Sequence, residues 1–473
     1  MSEKRRVYLL DNKKLSPETI AVTFAKTSRS PQSFDQIAQE LSDEKSAQFH
    51  ERWVVGYGHA SVAEHAVLHI AIENVSRLAI ECLESNRLAS YTEKSSRYQT
   101  WDADCFFIPD EIKGTSLEDA YSNTINALFQ KYHNAIPFLQ TTIANICRAT
   151  SKPISDREIH ARCMDVCRYY LPAAAMANVG VTINARELEH ALRKMLSHSL
   201  LEVRQIGQEI KQVAISHLPT LVKYADEVAY FKQAEERTTQ LIANAHPASH
   251  GKNWCTLLDH DERFEHHILA ALLLRYGQGD YAAQENKLHD FSKEQQQTLM
   301  DILFGRLDAH AMPLRELEYS FFLFELLMDQ GAYFEFKRHR MMTQTAQVLT
   351  PYYGYAIPRL ISDAGLEADF HEAMAIAQEG YTQIAATHPA VASYVIPNAY
   401  NRRLLAGCNL RTVIHFTNLR TASNAHFAMR RVANRMAEEI RERMDLFKPY
   451  FYADPPETWQ QIETEFFTDP IYP

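Results

Sequence analysis

The chain of 473 residues is written twice, and that repeat constrains its fold more than any other feature. VYLLDNKKLSPETIA, from Val7, is echoed by CTLLDHDERFEHHIL, from Cys255, with Leu9-Leu10-Asp11 against Leu257-Leu258-Asp259. EHAVLHIAIENVSR, from Glu64, is echoed by EYSFFLFELLMDQG, from Glu318. SNRLAS, from Ser85, is echoed by RHRMMT, from Arg338. LPAAAMANVGVTINARELEH, from Leu171, is echoed by IPNAYNRRLLAGCNLRTVIH, from Ile396, and the spacing holds at 225 residues from Pro172/Pro397 to His190/His415. Four echoes in one order read as a tandem duplication: copy one over 1–225, a connector over 226–250 and copy two over 251–473. Each copy is long enough to bury a core of its own.

Within copy one, the spacing predicts a strand over 7–10 and a helix over Pro17–Lys26, capped by Ser16. A second helix follows over 34–53 and stops at Gly56 and Gly58. Leu68, Ile70 and Ile72 alternate with His69, Ala71 and Glu73, which is the period of a half-buried strand. Ser76 then caps a short helix, as Asp329 does in copy two. Long amphipathic helices over 117–146 and 157–170, the strand VGVTINA and helices between 186 and 221 complete the copy. The connector is part helix. Strands and long helices mixed without βαβ alternation make the class α+β, each copy a small sheet packed with long helices.

A formal charge of −10 argues against non-specific nucleic-acid binding, which selects for surplus positive charge. No GxGxxG follows a strand and no GxxxxGK[ST] occurs, so neither a Rossmann nor a P-loop nucleotide site is expected. Seven cysteines with no CxxC pair read as small buried hydrophobes in a reducing, cytoplasmic setting. The N-terminus has no sustained apolar stretch of the signal-peptide kind, and no uncharged apolar run is long enough to span a membrane. GYGHASVAEH looks metal-like but has no spaced third ligand, and HDERFEHH aligns with the first helix of copy one and reads as a solvated helix face, so no metal is expected.

SNRLASYTEKSSRY, residues 85–98, sets Arg87 and Arg97 around Ser90, Tyr91, Thr92, Ser95 and Ser96. Guanidinium forks offer bidentate donors and hydroxyls add more, which suits a phosphate; a solvated loop can also read this way. Copy two offers Lys337-Arg338-His339-Arg340 at a helix end, where cations also oppose the helix dipole.

Taken in order, GHASVAEH, IENVSR, NRLASYTEKSSRY and LPAAAMANVGVTINARELEH resemble the flavin-dependent thymidylate synthases, over most of 1–225 and more weakly over 250–473. The resemblance implies an enzyme that binds FAD, reduces it with NAD(P)H, and passes a one-carbon unit from methylenetetrahydrofolate to C5 of dUMP. Protein side chains then position and the cofactor performs the hard steps. Another pyrimidine nucleotide alkylated at C5, or a non-catalytic flavin- or nucleotide-binding relative, are the alternatives.

Carried over by position, the resemblance assigns Arg87, Arg338, His339 and Arg340 to the catalytic R-H-R signature. It assigns Glu93, Ser95, Ser96, Arg97, Arg168, Arg338 and Arg420 to dUMP. His59, Ser61, Glu64, Asn184, Arg186, His190, His339, Arg340, Asn409, Arg411 and His415 fall to FAD. The departures are complementary. Copy one has Ser85-Asn86 for the first Arg-His, Cys82 where the family often has Gln, and Met195 for a substrate Arg. Copy two keeps Arg338-His339-Arg340 and Arg420 but has VLTPYYGY for the S-x-R-Y end and Ser393 opposite Arg168. A working site is therefore expected to combine Arg97 of copy one with Arg338 of copy two. Family tetramers share sites between subunits, so a duplicated chain is expected to form a homodimer of four related domains.

Overall fold

In the computed structural model, residues 6–150, 154–242, 253–305, 312–452 and 455–468 are described. They form two compact units that do not coincide with the sequence repeats. Unit 1 comprises Met1–Ser95, Cys105–Glu118 and Ala174–Pro247; unit 2 comprises Ser96–Asp104, Asp119–Ala173 and Ala248–Pro473.

In unit 1, β1 (Val67–Ser76), β2 (Ala89–Glu93) and β3 (Met176–Asn184) form an antiparallel sheet in the order β1-β3-β2. Ala177, Val179, Val181 and Ile183 of β3 point into the core, while Asn178 and Gly180 between them are exposed. That alternation is the period-2 pattern of a sheet buried on one face. Leu68 pairs with Ile183 and Ile70 with Val181, and the register slips between Ile72 and Val75. The slip places Asn74 at φ 56°, a left-handed conformation that Asn tolerates better than most residues. Ser76 ends β1 and starts the helix Arg77–Glu84, its hydroxyl accepting from the Ala79 N–H at 2.9 Å.

The helix Pro17–Lys26 forms as expected under its Ser16 cap. Two neighbouring expectations fail. The single helix over 34–53 is broken into Phe34–Gln39, Asp43–Phe49 and a π-helical turn His50–Gly56. The Ser42 side chain accepts from the Lys45 N–H and starts a new helix there, a local bond that competes with continuation. The strand over 7–10 is absent, and Val7 and Leu9 are almost fully exposed. The connector forms the helix Ala229–Ile242, and its remainder, from residue 243, lies outside the described residues.

In unit 2, β4 (Cys255–His260), β5 (Phe322–Asp329), β6 (Thr343–Ala346) and β7 (Asn401–Cys408) lie in the order β4-β5-β7-β6. β5, β7 and β6 repeat the β1-β3-β2 arrangement, and β4 adds an edge strand from the echo of residues 7–11. The helix Phe427–Arg441 packs on β4 and β5 and buries Met429, Val432, Met436 and Ile440. Truncating one of these to Ala costs about 2–5 kcal/mol.

Unit 2 also takes in two stretches of copy one, one short and one long. The helix Ser116–Ala149 belongs to it from Asp119 onward and approaches the helix Glu367–Ala385 closely enough that a Cβ on Gly380 would sit 2.5 Å from the Thr124 hydroxyl. Ala173 N–H donates to Ile396 O, and Asn398 N–H donates to Leu171 O, both at 3.0 Å. These are repeat-equivalent segments bridged at Pro172 and Pro397. The same patch thus meets itself about a local two-fold, the contact expected of an isologous dimer.

Candidate functional site

Asp329 ends β5 and caps the helix Gln330–Phe336, its Oδ1 accepting from the Ala332 N–H at 2.7 Å. Glu335 lies near the other end of this helix, among Tyr333, Phe334 and Phe336, and its side chain is 7% exposed. Arg168 Nη1 donates to Glu335 Oε1 at 3.1 Å, and Arg420 Nη1 donates to Oε2 at 3.0 Å. Arg420 Nη2 also reaches the Glu335 carbonyl at 3.3 Å. Arg168 comes from copy one, just after the helix Asp156–Cys167, and Arg420 ends the helix Leu410–Arg420 of copy two.

Burial alone would push the Glu335 carboxyl up. The charges of Arg168, Arg97, Arg420 and Arg338 outweigh burial and hold it below the usual carboxylate range. Arg420 is pulled down by burial and by Arg338 and Arg97, with Glu335 opposing. One carboxylate thus sits among four guanidinium groups. Arg168 is nearly fully buried, and its Nε and Nη2 have no hydrogen-bond acceptor among the described residues, though its charge acts on the buried Asp329 carboxyl.

His339 is buried beside this cluster with Phe416 edge-on at 4.7 Å. Its Nε2 lies 2.9 Å from Arg420 Nε. Because a guanidinium can only donate, Nε2 must carry the lone pair and His339 is neutral. Burial, then the charge of Arg420, lower its pKa to about 3.

Arg97 is clamped by Asp165, with Nε to Oδ1 at 2.6 Å and Nη2 to Oδ2 at 3.1 Å, and Nη2 also reaches Asn424 O at 3.3 Å. Burial opposes its charge, but the Asp165 carboxylate outweighs it and raises its pKa. Buried His426 lies 3.1 Å through Nε2 from the Asp165 carbonyl and stacks on Tyr169. Asn398 holds the Arg168 carbonyl from its amide at 2.8 Å. Unit 2 therefore brings together Arg97, Arg168, Arg338, His339 and Arg420, five of the sequence-assigned residues, from both repeats. Ser96 is buried in the same unit.

In unit 1 the equivalent positions are filled differently. Asn86 stands at the place of His339, Cys82 at that of Glu335 and Met195 at that of Arg420. Lys194 Nζ donates to Asn86 Oδ1 at 2.8 Å and to Ser85 Oγ at 2.5 Å. Burial lowers the Lys194 pKa, and Met195 is 1% exposed. Glu93 pairs with Arg77 at 3.4 Å, both side chains buried inside unit 1. Ser95 is half-buried.

The positions assigned to flavin adopt the same local geometry twice. Asn184 accepts from Glu187 N–H, and Asn409 from Thr412 N–H, each at 2.9 Å and each as a helix cap. Arg186 pairs with Glu64 at 2.5 Å, and Arg411 with Glu318 at 2.6 Å. Glu64, Arg87 and Asn184 line one open hollow of about 340 Å³ with Ser90 and Thr182. His59, Ser61 and His190 are exposed in unit 1. In unit 2 His415 is exposed, 6.2 Å ring to ring from His339, and Arg340 is half-buried.

Asp165, Lys194, Glu335 and His426 were missed from sequence. Glu335 had a signal: it is the only acid in the apolar run AYFEF and falls opposite Cys82. The others had none, since each acts through a partner distant in sequence.

A family model described as thymidylate synthase complementing protein matches residues 9–220 and again 256–444. A UPF0159 protein of Chlamydia muridarum is 30% identical over 438 residues, which cover 87% of this chain and 82% of that protein. A flavin-dependent thymidylate synthase of Clostridium tetani is 28% identical over 214 residues, 44% of this chain and 82% of that protein. Among solved structures, a UMP/dUMP methylase of Streptomyces cacaoi bound with 5-Br dUMP gives a TM-score of 0.32 at 17% identity, covering 44% of this chain and 88% of that one, a likeness too slight to bear on fold or ligand. Because the family model matches twice and takes in most of the chain, the chain belongs to the thymidylate synthase complementing proteins, the flavin-dependent thymidylate synthase family, with the family domain in tandem.

Proposed function

We propose that this chain is a flavin-dependent thymidylate-synthase-like enzyme that transfers a one-carbon unit from methylenetetrahydrofolate to C5 of dUMP, using FAD and NAD(P)H. The observation that carries this reading is the cluster at Glu335, which pairs with Arg168 of one repeat and Arg420 of the other within the field of Arg97 and Arg338. The guanidinium groups of Arg97, Arg168, Arg338 and Arg420, gathered in one place, suit a phosphate monoester of about −2. Arg forks match phosphate oxygens in pairs, so the cage holds the nucleotide by geometry as well as charge.

The family implies a flavin. The donor set fits one: Arg411, fixed by Glu318 and the Pro313 carbonyl, and Arg340 and His415 supply guanidinium and imidazole donors suited to a pyrophosphate. When bound, the flavin supplies the reducing electrons. The chain's own residues orient and bind. His339 holds the Arg420 fork by accepting from Nε, and as a fixed acceptor it carries no proton to the reaction.

In this reading each chain has one nucleotide site, composed of residues from 1–225 and 251–473. The copy-one counterpart is closed by Lys194 and filled by Met195. Two chains would complete a homodimer of four family domains, in the reducing cytoplasm. The test is to incubate pure protein with FAD, NADPH, methylenetetrahydrofolate and dUMP and to assay dTMP. Formation of dTMP, lost in Arg97→Ala and in Arg338→Ala, supports the reading; protein that binds neither FAD nor dUMP overturns it.

A further inference from the structure

Glu335 raises a difficulty for a phosphate in this cage. Its two oxygens already take Nη1 of Arg168 and Nη1 of Arg420, so a phosphate that pairs with those donors must displace them. Its side chain is 7% exposed, on a short helix anchored by the buried Asp329 cap, so it has little room to swing into water. A dianion entering the cage therefore meets a carboxylate at close range. Two anions in contact cannot both stay ionised; one proton ends up between them. The neighbours that set this balance are Arg168, Arg97, Arg420 and Arg338, with Asp165 committed to Arg97 and His339 to Arg420.

We propose that Glu335 occupies the anion position of the free protein, and that the nucleotide phosphate enters with one proton, shared between a phosphate oxygen and the Glu335 carboxyl. This rests on the nucleotide reading above and specifies its charge state. The step breaks no covalent bond. Phosphate oxygens replace Glu335 on the two Nη1 donors, the proton comes from solvent, and the neutral carboxyl donates to the phosphate. Glu335 thereby makes the site selective for a phosphate that arrives protonated, and affinity falls as pH rises.

The test is calorimetry of dUMP and of deoxyuridine on the full chain, in buffers of different ionisation enthalpy. At pH 8, where a free phosphate monoester is a dianion because its second pKa is about 6, dUMP should take up about one proton per site. Affinity should fall about tenfold per pH unit above that point. Glu335→Gln should bind dUMP with no proton uptake, at least tenfold tighter at pH 8 and with a flat pH profile. Deoxyuridine should bind without uptake in either protein. Binding of dUMP without proton uptake by the wild type overturns the proposal and needs no variant; weaker binding by Glu335→Gln would make Glu335 a positioning residue for Arg168 and Arg420 instead. Uptake that persists in Glu335→Gln would assign the proton to His339 and also overturn it. If no dUMP binds to either protein, the nucleotide reading itself fails; if dUMP binds and Arg97→Ala abolishes it while uptake is zero, only the Glu335 proposal fails.

Discussion

The turn after the helix Arg77–Glu84 in unit 1 and the turn after the helix Gln330–Phe336 in unit 2 start from the same repeat and end in opposite chemistry. In unit 1, a neutral amide and a hydroxyl accept from Lys194, and Met195 fills the adjoining space. In unit 2, an imidazole accepts from Arg420, and Glu335 gathers guanidinium groups. The first arrangement pairs Lys194 with neutral acceptors, whereas the second gathers guanidinium groups about a carboxylate, with Arg168 Nε and Nη2 unmet among the described residues. A buried polar cluster that is satisfied from within stabilises the fold, whereas one with unmet donors is poised for a ligand. Duplication allows one chain to hold both.

The largest expected effect separates the two turns by stability. Arg168→Ala leaves Glu335 buried with one partner fewer and should cost about 3–5 kcal/mol. Lys194→Met removes only hydrogen bonds to neutral acceptors and should cost about 1–3 kcal/mol. Denaturant titration of both variants checks this, and equal losses would erase the contrast.

Next, the chemistry of unit 2 can be imported into unit 1. Met195→Arg buries a guanidinium with Cys82 where Glu335 would stand, and should destabilise by about 2–4 kcal/mol. Adding Cys82→Glu should recover at least about 1 kcal/mol in a double-mutant cycle. Strict additivity would show that the two positions do not meet as their counterparts do.

A third experiment counts sites. Calorimetry should find one nucleotide per chain. Arg97→Lys, which replaces a fork with a point charge, should weaken binding about tenfold to a hundredfold, the equivalent of about 1.5–3 kcal/mol. Two nucleotides per chain would mean that unit 1 binds as well.

The last comparison is read against pH, where each pH unit changes stability only slightly. His339 has an ordinary value of 6.5 and a folded value of about 3. Below pH 6.5 the unfolded chain gains a proton that the folded chain refuses, so stability contributed here is present above 6.5 and is lost as pH falls towards 3. The slope is about 1.4 kcal/mol per pH unit. His339→Asn, which copies Asn86, should remove one proton's worth of that slope while His426, also pulled down by burial, keeps its own. An unchanged slope would place the titration elsewhere.

Much of this was legible in the residues. Ser16, Ser76 and Asp329 marked helix starts because a capping side chain acts on the next few N–H groups, a range the sequence displays directly. The alternation of β1 and the repeat of LPAAAMANVGVTINARELEH foretold a small sheet and its copy, because periodicity reports which face is buried. The same local signals failed at 34–53, where Ser42 restarts the helix, and at 7–10, where letters that pair as β4 in copy two find no partner strand among the described residues.

The sequence by itself determined the duplication, the α+β class and the complementary losses of the R-H-R pair in one copy and the S-x-R-Y end in the other. Each of these is carried by residue type and spacing along the chain. Only the tertiary structure decided that 96–104 and 119–173 of copy one belong with copy two, and that Glu335 pairs with Arg168 and Arg420 within the field of Arg97 and Arg338. It also decided that Lys194 closes the turn at Asn86. Those outcomes depend on which side chains share a desolvated space, where an unpaired charge is costly and the partner that relieves it lies far along the chain, 167 positions away for Arg168 and Glu335.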